Sequence, residues 1–202
     1  MNIALIGATG NAGSRILAEL SRRGHQVTAI ARKAPGALPE GARFQAGDAN
    51  DPEAFAPLLR GHDAVVSSVH FTASDAEKLI AAVKAAGVAR YLVVGGAGSL
   101  EVAPGLRLVD TPDFPAAYKA EATAGAAFLD RLRQEDVLDW TFLSPSAFFV
   151  PGERTGSFRL GGDSLLVDAK GESRISFEDF AIALVDELEA PKHSRRRFTV
   201  GY

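Results

Sequence analysis

The sequence contains no cysteine, and only one methionine and one tryptophan occur among its 202 residues. The absence of thiols excludes disulfide bonds, a cysteine nucleophile and zinc sites built on sulfur. The four histidines are dispersed and never fall at the spacing of metal ligands. We therefore predict no metal site.

Long hydrophobic runs are also missing, and no stretch approaches the roughly 20 apolar residues that cross a bilayer. The formal net charge of -3 provides no attraction for nucleic acid. The first apolar run, residues 3–6, leads into a glycine-rich loop and not into a targeting segment. We expect a cytoplasmic monomer or homodimer whose partner is a small molecule, with neither nucleic acid nor membrane as a partner.

Short apolar segments alternate with longer alanine- and leucine-rich segments, which is typical of parallel strands joined by crossover helices. The predicted strands are 2–6, 26–31, 43–46, 64–68, 91–95, 140–143 and 198–200. The predicted helices are 12–23, 52–60, 74–86, 115–135 and one that opens at Ser176. This pattern predicts an α/β fold: a single Rossmann domain over residues 1–202, with a doubly wound parallel sheet flanked by helices.

Two segments interrupt the alternation, residues 98–114 and 149–171, and both are rich in turn-forming residues. We expect both to lie over the carboxyl edge of the sheet, where open α/β folds bind ligands. The second is predicted to be a small excursion that either covers the substrate or mediates dimer contacts; the sequence does not choose between these.

A glycine-rich turn follows the first predicted strand with the spacing G-x-x-G-x-x-G. A dinucleotide pyrophosphate needs such a turn, because it brings backbone amides and a helix N-terminus close to the phosphates. A plain tight turn is the alternative, but the strand before it and the amphipathic helix after it favour a cofactor site. The predicted cofactor-binding residues here are Gly7, Thr9, Gly10, Asn11, Ala12 and Gly13.

The residues after the second and third predicted strands suggest which dinucleotide binds. A carboxylate at the end of the second strand would select NAD, whereas Arg32 and Lys33 stand there. Their charges suit a 2′-phosphate and favour NADP(H) over NAD(H); a solvated basic loop is the alternative. Asp48 is predicted either to accept the adenine amine or to cap the next helix. Ser67, Ser68 and Val69 are expected beside the ribose or nicotinamide.

Several segments together resemble the atypical short-chain dehydrogenase/reductase family of NAD(P)H-binding proteins, the NmrA-like group that includes proteins named for NADH-flavin reductase activity. The resemblance covers essentially the whole chain. It rests on ALIGATG at residues 4–10, AGD at 46–48, VVGGA at 93–97, LDWTFLSP at 138–145 and ISFEDFA at 175–181.

This resemblance implies a Rossmann sheet, a bound NADP(H) or NAD(H), and hydride transfer to a flavin, a quinone or a similar conjugated acceptor. It also implies that some members bind the dinucleotide as regulators. By the family pattern, the nicotinamide would lie near Gly95, Gly96, Lys119 and the Pro145-Ser146 segment.

The chain departs from this family at two positions. Typical members carry Tyr-x-x-x-Lys on one helical face, whereas Tyr118 and Lys119 are adjacent and therefore differ by about 100° around a helix. Lys119 is predicted to hold the ribose or nicotinamide while Tyr118 lines the acceptor pocket; a solvated lysine beside a packed tyrosine is the alternative. Ser144 replaces an arginine found in many relatives, which predicts a less cationic edge.

Other side chains near the same edge are weaker candidates. His70 follows the fourth strand and is a candidate proton donor, with a surface histidine as the alternative. The phenylalanines at 71, 114, 148 and 149 are expected either to line the pocket or to pack. Arg195, Arg196 and Arg197 are predicted to form a solvated entry to the last strand, because the run is short and the chain is acidic overall.

The leading functional hypothesis is an NADPH-dependent reductase of a flavin- or quinone-like acceptor, with Lys119, Tyr118 and His70 as catalytic candidates. A conjugated ring delocalises the charge that hydride brings, so positioning can suffice without a general acid. The alternatives are a dinucleotide-binding regulatory or sensor protein without turnover and an enzyme that isomerises or reduces a sugar-like or carbonyl substrate.

Overall fold

Seven parallel strands form the centre of the molecule, and an eighth strand runs antiparallel at one edge. The computed structural model describes all 202 residues. The strands are β1 (Asn2–Ile6), β2 (Gln26–Ala31), β3 (Ala42–Ala46), β4 (Ala64–Ser67), β5 (Arg90–Val94), β6 (Glu101–Ala103), β7 (Leu106–Arg107), β8 (Asp139–Ser144), β9 (Phe148–Val150), β10 (Arg159–Gly161), β11 (Arg174–Ser176) and β12 (Arg196–Gly201). The helices are α1 (Asn11–Arg22), α2 (Pro52–Leu59), α3 (Ala76–Ala86), α4 (Ala116–Leu132) and α5 (Phe177–Glu189). The predicted Rossmann fold is confirmed.

The order of the main sheet is β3-β2-β1-β4-β5-β8-β12-β10. From β1 the chain first builds outward through β2 and β3, and it then returns to add β4 on the other side of β1. The connections therefore leave in opposite directions above the carboxyl ends of β1 and β4. Such a switch point is where open α/β sheets bind their ligands.

Each face of the sheet buries its own apolar cluster. On one face, Ile16 and Leu20 of α1 and Phe180 of α5 pack with β-strand residues. On the other face, Phe55 of α2 and Leu129 of α4 pack with residues from the opposite sides of the same strands. This two-sided burial explains why the strands read as continuous apolar runs rather than as alternating ones. None of the helices has the length and apolar character of a membrane span.

Most predicted helix ends are correct to within a few residues, and the differences arise from capping. Helix α3 begins at Ala76 because the Asp75 side chain accepts hydrogen bonds from the amides of Glu77 and Lys78. It ends at Gly87, whose φ of +74° suits a residue without a side chain. Helix α5 begins as predicted, because Ser176 Oγ accepts from the amide of Asp179 at 3.0 Å.

Five short strands, β6, β7, β9, β10 and β11, lie within or next to the two irregular segments, and the sequence pattern did not predict them. They meet each other where the Glu101 amide donates to the Asp163 carbonyl and the Leu165 amide donates to the Glu101 carbonyl, both at 2.9 Å. These strands are only two or three residues long, so their pairing comes from distant partners and leaves little local signal.

The turn at residues 152–156 is fastened to the helices of the α1 and α5 face. Arg154 forms a hydrogen bond of 3.0 Å with Glu19, which is nearly fully buried in α1. Burial by itself would raise the pKa of the Glu19 carboxyl, but the guanidinium groups of Arg22, Arg154 and Arg23 outweigh it and hold the pKa far below its usual range. This part of the excursion therefore lies against its own chain.

Candidate functional site

Two of the glycines in the loop after β1 are required by the fold itself. Gly7 has a φ of +79°, and a Cβ atom there would overlap the main-chain carbonyl of Ser68. A Cβ at Gly13 would overlap the Gly7 carbonyl oxygen and lie 3.2 Å from the Cα of Ala8. The loop is therefore closely packed between the start of α1 and the end of β4.

The middle glycine, Gly10, has no such requirement. Its φ of -72° and ψ of 172° are open to any residue, and a Cβ would lie 3.4 Å from the nearest atom, the Gly7 oxygen. Glycine at this position instead leaves the backbone open to close approach by a ligand.

Gly10 also precedes an uncapped helix. No side chain caps α1, and its first turn contains no acidic residue. The amides of Asn11, Ala12 and Gly13 have no partner within the helix, and they carry the positive end of its dipole. Thr9 is exposed beside them. This arrangement fits the pyrophosphate of a dinucleotide.

The end of β2 lies next to this loop, because the amide of Gly7 donates to the carbonyl of Ile30 at 2.9 Å. Arg32 and Lys33 follow directly, are exposed, and form no ion pair or side-chain hydrogen bond within the chain. Asp48 follows β3 and accepts from the amide of Asn50 at 3.0 Å, so it shapes a turn. The helix cap considered for Asp48 is provided instead by Asp51, which accepts from the amide of Ala54.

The end of β4 reaches the glycine loop through its main chain. The Ser68 carbonyl and the Val69 side chain lie against Gly7. The hydroxyl of Ser67 instead lies in the core, 2.9 Å from the Tyr91 hydroxyl, whose pKa is raised by burial. Any contact of Ser67 with a ligand would therefore use its main-chain atoms.

The nicotinamide-side residues implied by the family pattern differ in accessibility. Gly96 is partly exposed beside Phe71, whereas Gly95 is buried against the ring of Phe142. Pro145 is buried, and Ser146 donates from its buried hydroxyl to the Val200 carbonyl at 3.0 Å. Only Gly96 of these four residues is open to solvent.

Tyr118 and Lys119 lie in the first turn of α4 and point in different directions. The Tyr118 side chain is 67% exposed. The Lys119 ammonium donates to the Val109 carbonyl and lies 5.7 Å from the centre of the Phe114 ring. The two side chains have no common partner, so they do not form the aligned pair of a proton relay.

Glu121, which the sequence analysis missed, connects α4 to the segment after β4. Its carboxylate accepts from the amides of Phe71 and Thr72 at 2.7 and 3.0 Å and from the Thr72 hydroxyl at 2.7 Å. Burial opposes the ionised form, but these hydrogen bonds outweigh it and lower the pKa of Glu121. His70 Nδ1 lies 3.4 Å from the same carboxylate, with its side chain 86% exposed. No local sequence pattern marks Glu121, because its hydrogen-bond partners lie about 50 positions away along the chain.

Two of the four candidate phenylalanines pack against other rings. Phe71 stacks on Phe142 and meets the edge of Phe128, and Phe149 packs on Phe177. Phe148 differs, because it is 64% exposed.

The prediction of a solvated arginine entry to the last strand is wrong for Arg197. This side chain is buried, and its Nε donates to Asp163 Oδ1 at 2.7 Å. Burial lowers its pKa. One of its terminal nitrogens lies 3.4 Å from Ser144 Oγ, so this buried hydroxyl faces a guanidinium that is already paired with Asp163. The residues around Arg197 in the sequence do not indicate this ion pair, because Asp163 is 34 positions away.

Comparison with known proteins supports a dinucleotide site at the glycine loop. A family model described as NAD(P)H-binding matches residues 7–191. The uncharacterized protein YwnB of Bacillus subtilis is 45% identical over 208 residues, covering 99% of this chain and 98% of its own.

Two crystal structures share the entire fold. A Bacteroides thetaiotaomicron protein provisionally named an epimerase has a TM-score of 0.95 and 42% identity, covering 100% of this chain and 96% of its own. A Streptococcus pneumoniae protein provisionally named an NADH-flavin reductase has a TM-score of 0.87 and 39% identity, covering 100% and 99%. The match over residues 7–191 agrees with the glycine loop that leads into an uncapped helix, and the chain belongs to the NAD(P)H-binding family that this model describes.

Proposed function

We propose that this protein is an NADPH-dependent reductase that transfers hydride to a flavin- or quinone-like acceptor. The observation that carries the proposal is Gly10, a glycine that the fold does not need, placed before an uncapped helix. A pyrophosphate that approaches the backbone closely accounts for both features.

Preference for NADPH over NADH is supported by the charge at the end of β2. Arg32 and Lys33 are exposed and free of ion pairs, and no carboxylate stands at that strand end to select a ribose hydroxyl. A guanidinium and an ammonium both donate charge-assisted hydrogen bonds to phosphate oxygens.

The remaining groups suit orientation more than proton transfer. Lys119 uses one of its three N–H donors on Val109 and retains two for a ribose or nicotinamide amide. Tyr118 is exposed and available to a planar acceptor. The dinucleotide, when bound, supplies the hydride chemistry. A conjugated acceptor fits this set, because it needs no aligned general acid.

The cofactor preference is tested with Arg32→Glu. Replacing attraction by repulsion at a phosphate should weaken NADPH binding by roughly 10- to 100-fold, while NADH binding changes by less than about threefold. Arg60→Glu makes the same charge change at an exposed arginine that follows α2, and it should alter neither. Equal weakening of both dinucleotides by Arg32→Glu would refute the preference.

Turnover is tested by following NADPH oxidation with FMN, riboflavin and a panel of small quinones. Stoichiometric oxidation supports the reductase. The second candidate is a regulatory protein that binds the dinucleotide without turnover, and it is favoured by the divergent directions of Tyr118 and Lys119. Tight binding of NADPH without its oxidation in the presence of any acceptor would support this regulatory role. Oxidation of NADPH with carbonyl compounds alone would indicate a different enzyme class.

A further inference from the structure

A cleft lies at the outer end of the sheet, beside β12. Its volume is about 480 Å³, which is within the range of roughly 300–1,000 Å³ common for small-molecule sites. Arginines dominate its lining, at Arg133, Arg195, Arg196 and Arg197, and Asp163 is the only acidic residue among the lining side chains. In a chain with a net charge of -3, this is a local concentration of positive charge.

Two of these guanidinium groups are uncompensated. Arg197 is committed to Asp163 at 2.7 Å, and Arg133 lies 3.0 Å from Asp130 and 3.6 Å from Asp163. Arg195 and Arg196 are exposed and form no side-chain hydrogen bond or ion pair within the chain. They are therefore free to meet an anion.

The backbone at Arg195 is also unusual. It is the one residue other than glycine with a positive φ, at 51°, and its amide donates to the Trp140 carbonyl at 2.7 Å. A long side chain rarely occupies this region, and such strained positions cluster at ligand sites. The Trp140 hydrogen bond holds the start of the arginine run at the cleft.

We propose that this cleft binds a small organic phosphate, with Arg195 and Arg196 as its phosphate ligands. The guanidinium fork matches phosphate oxygens in pairs, and Leu160, which is 52% exposed, supplies apolar surface for the organic part. Trp140 is the second residue of β8, near its amino end, whereas the glycine loop follows the carboxyl end of β1. The proposal is therefore independent of the dinucleotide site.

The only tryptophan of the chain, Trp140, is buried and borders this cleft, so its fluorescence reports on binding next to it. The experiment titrates the protein with phenyl phosphate and follows Trp140 emission. A saturable change is expected. The double variant Arg195→Gly, Arg196→Ser should weaken binding at least about tenfold, because charge-assisted bonds are lost. Glycine at position 195 suits the positive φ and so preserves the fold. The single variant Arg196→Ser tests the loss of phosphate binding at an exposed position without changing residue 195.

Matched controls separate the sources of a response. Arg60→Ser removes an exposed arginine elsewhere and should leave the titration unchanged. Saturating NADP⁺ should also leave it unchanged; competition would move the phosphate to the glycine loop and overturn the proposal. Three other results would also overturn the proposal. These are the absence of a saturable fluorescence change in the wild type, an affinity of the double variant for phenyl phosphate equal to that of the wild type, and tighter binding of a single-stranded oligonucleotide than of phenyl phosphate.

Discussion

The packing of the glycine loop predicts different effects for two substitutions. Gly10→Val should mainly abolish dinucleotide binding, whereas Gly13→Ala should mainly lower the stability of the fold. At Gly10 the conformation is open to any residue and a Cβ would have ordinary contacts. Valine is a poor helix cap, so the expected loss of stability is about 1 kcal/mol, which lowers Tm by roughly 2–4 °C in a protein of this size.

At Gly13 the expectation from local propensity has the wrong sign. Replacing glycine by alanine inside a helix stabilises it by about 1 kcal/mol. Here the new methyl group would overlap the Gly7 carbonyl oxygen and lie 3.0 Å from the Gly7 carbonyl carbon. Backbone atoms cannot rotate away, so overpacking of about 3 kcal/mol or more outweighs the gain. The expected net loss is about 2 kcal/mol, or roughly 4–8 °C in Tm.

Thermal unfolding and calorimetric titration with NADP⁺ and NADH separate the two effects. Gly10→Val should remain folded but lose at least about 100-fold in affinity for both dinucleotides, because side-chain atoms occupy the phosphate approach. Gly162→Val provides the control, since nothing lies within 4 Å of that position. Unchanged affinity in Gly10→Val would refute the assignment of the loop, and unchanged stability in Gly13→Ala would refute the packing argument.

Three further substitutions test the contacts around the site. Glu121→Gln should lower the free energy of unfolding by about 1–2 kcal/mol near neutral pH. Because the folded-state pKa of Glu121 is lowered, this difference from the wild type, measured by urea titration, should shrink as the pH falls below about 4.3. A pH-independent difference would contradict this. Arg154→Ala removes the contact with Glu19 and should speed limited proteolysis within residues 152–156, whereas an unchanged cleavage rate would show that other contacts hold the turn. Asp163→Asn removes the counter-charge of the buried Arg197 guanidinium. Because the Asp163 side chain is 62% exposed, the unfolding free energy should fall by only about 1 kcal/mol; wild-type stability would mean that Arg197 finds another partner.

The seven parallel strands of the main sheet and most helix ends could be predicted from the sequence because their signals are local. Apolar runs mark buried parallel strands, and glycines such as Gly87 mark helix ends through their backbone freedom. The glycine spacing before α1 likewise predicted where a dinucleotide would approach. These features depend on residues a few positions apart, so the pattern contains them.

The short strands and the contacts of single side chains could not be predicted in the same way. β9 pairs with β11 across more than 20 residues, and β10 with β12 across more than 35. Strands of three residues carry almost no periodicity, so only the packed fold selects their partners.

The sequence by itself determined the fold class and the glycine loop, because each follows from a local hydrophobic period or from backbone freedom. Tertiary structure alone decided the roles of individual polar groups. It distinguished the glycine open to a ligand from the two required by packing, joined Glu121 to the segment after β4, and buried Arg197 against Asp163 while leaving Arg195 free. Charge and hydrogen-bond partners are set by distance in space, which residue order does not encode.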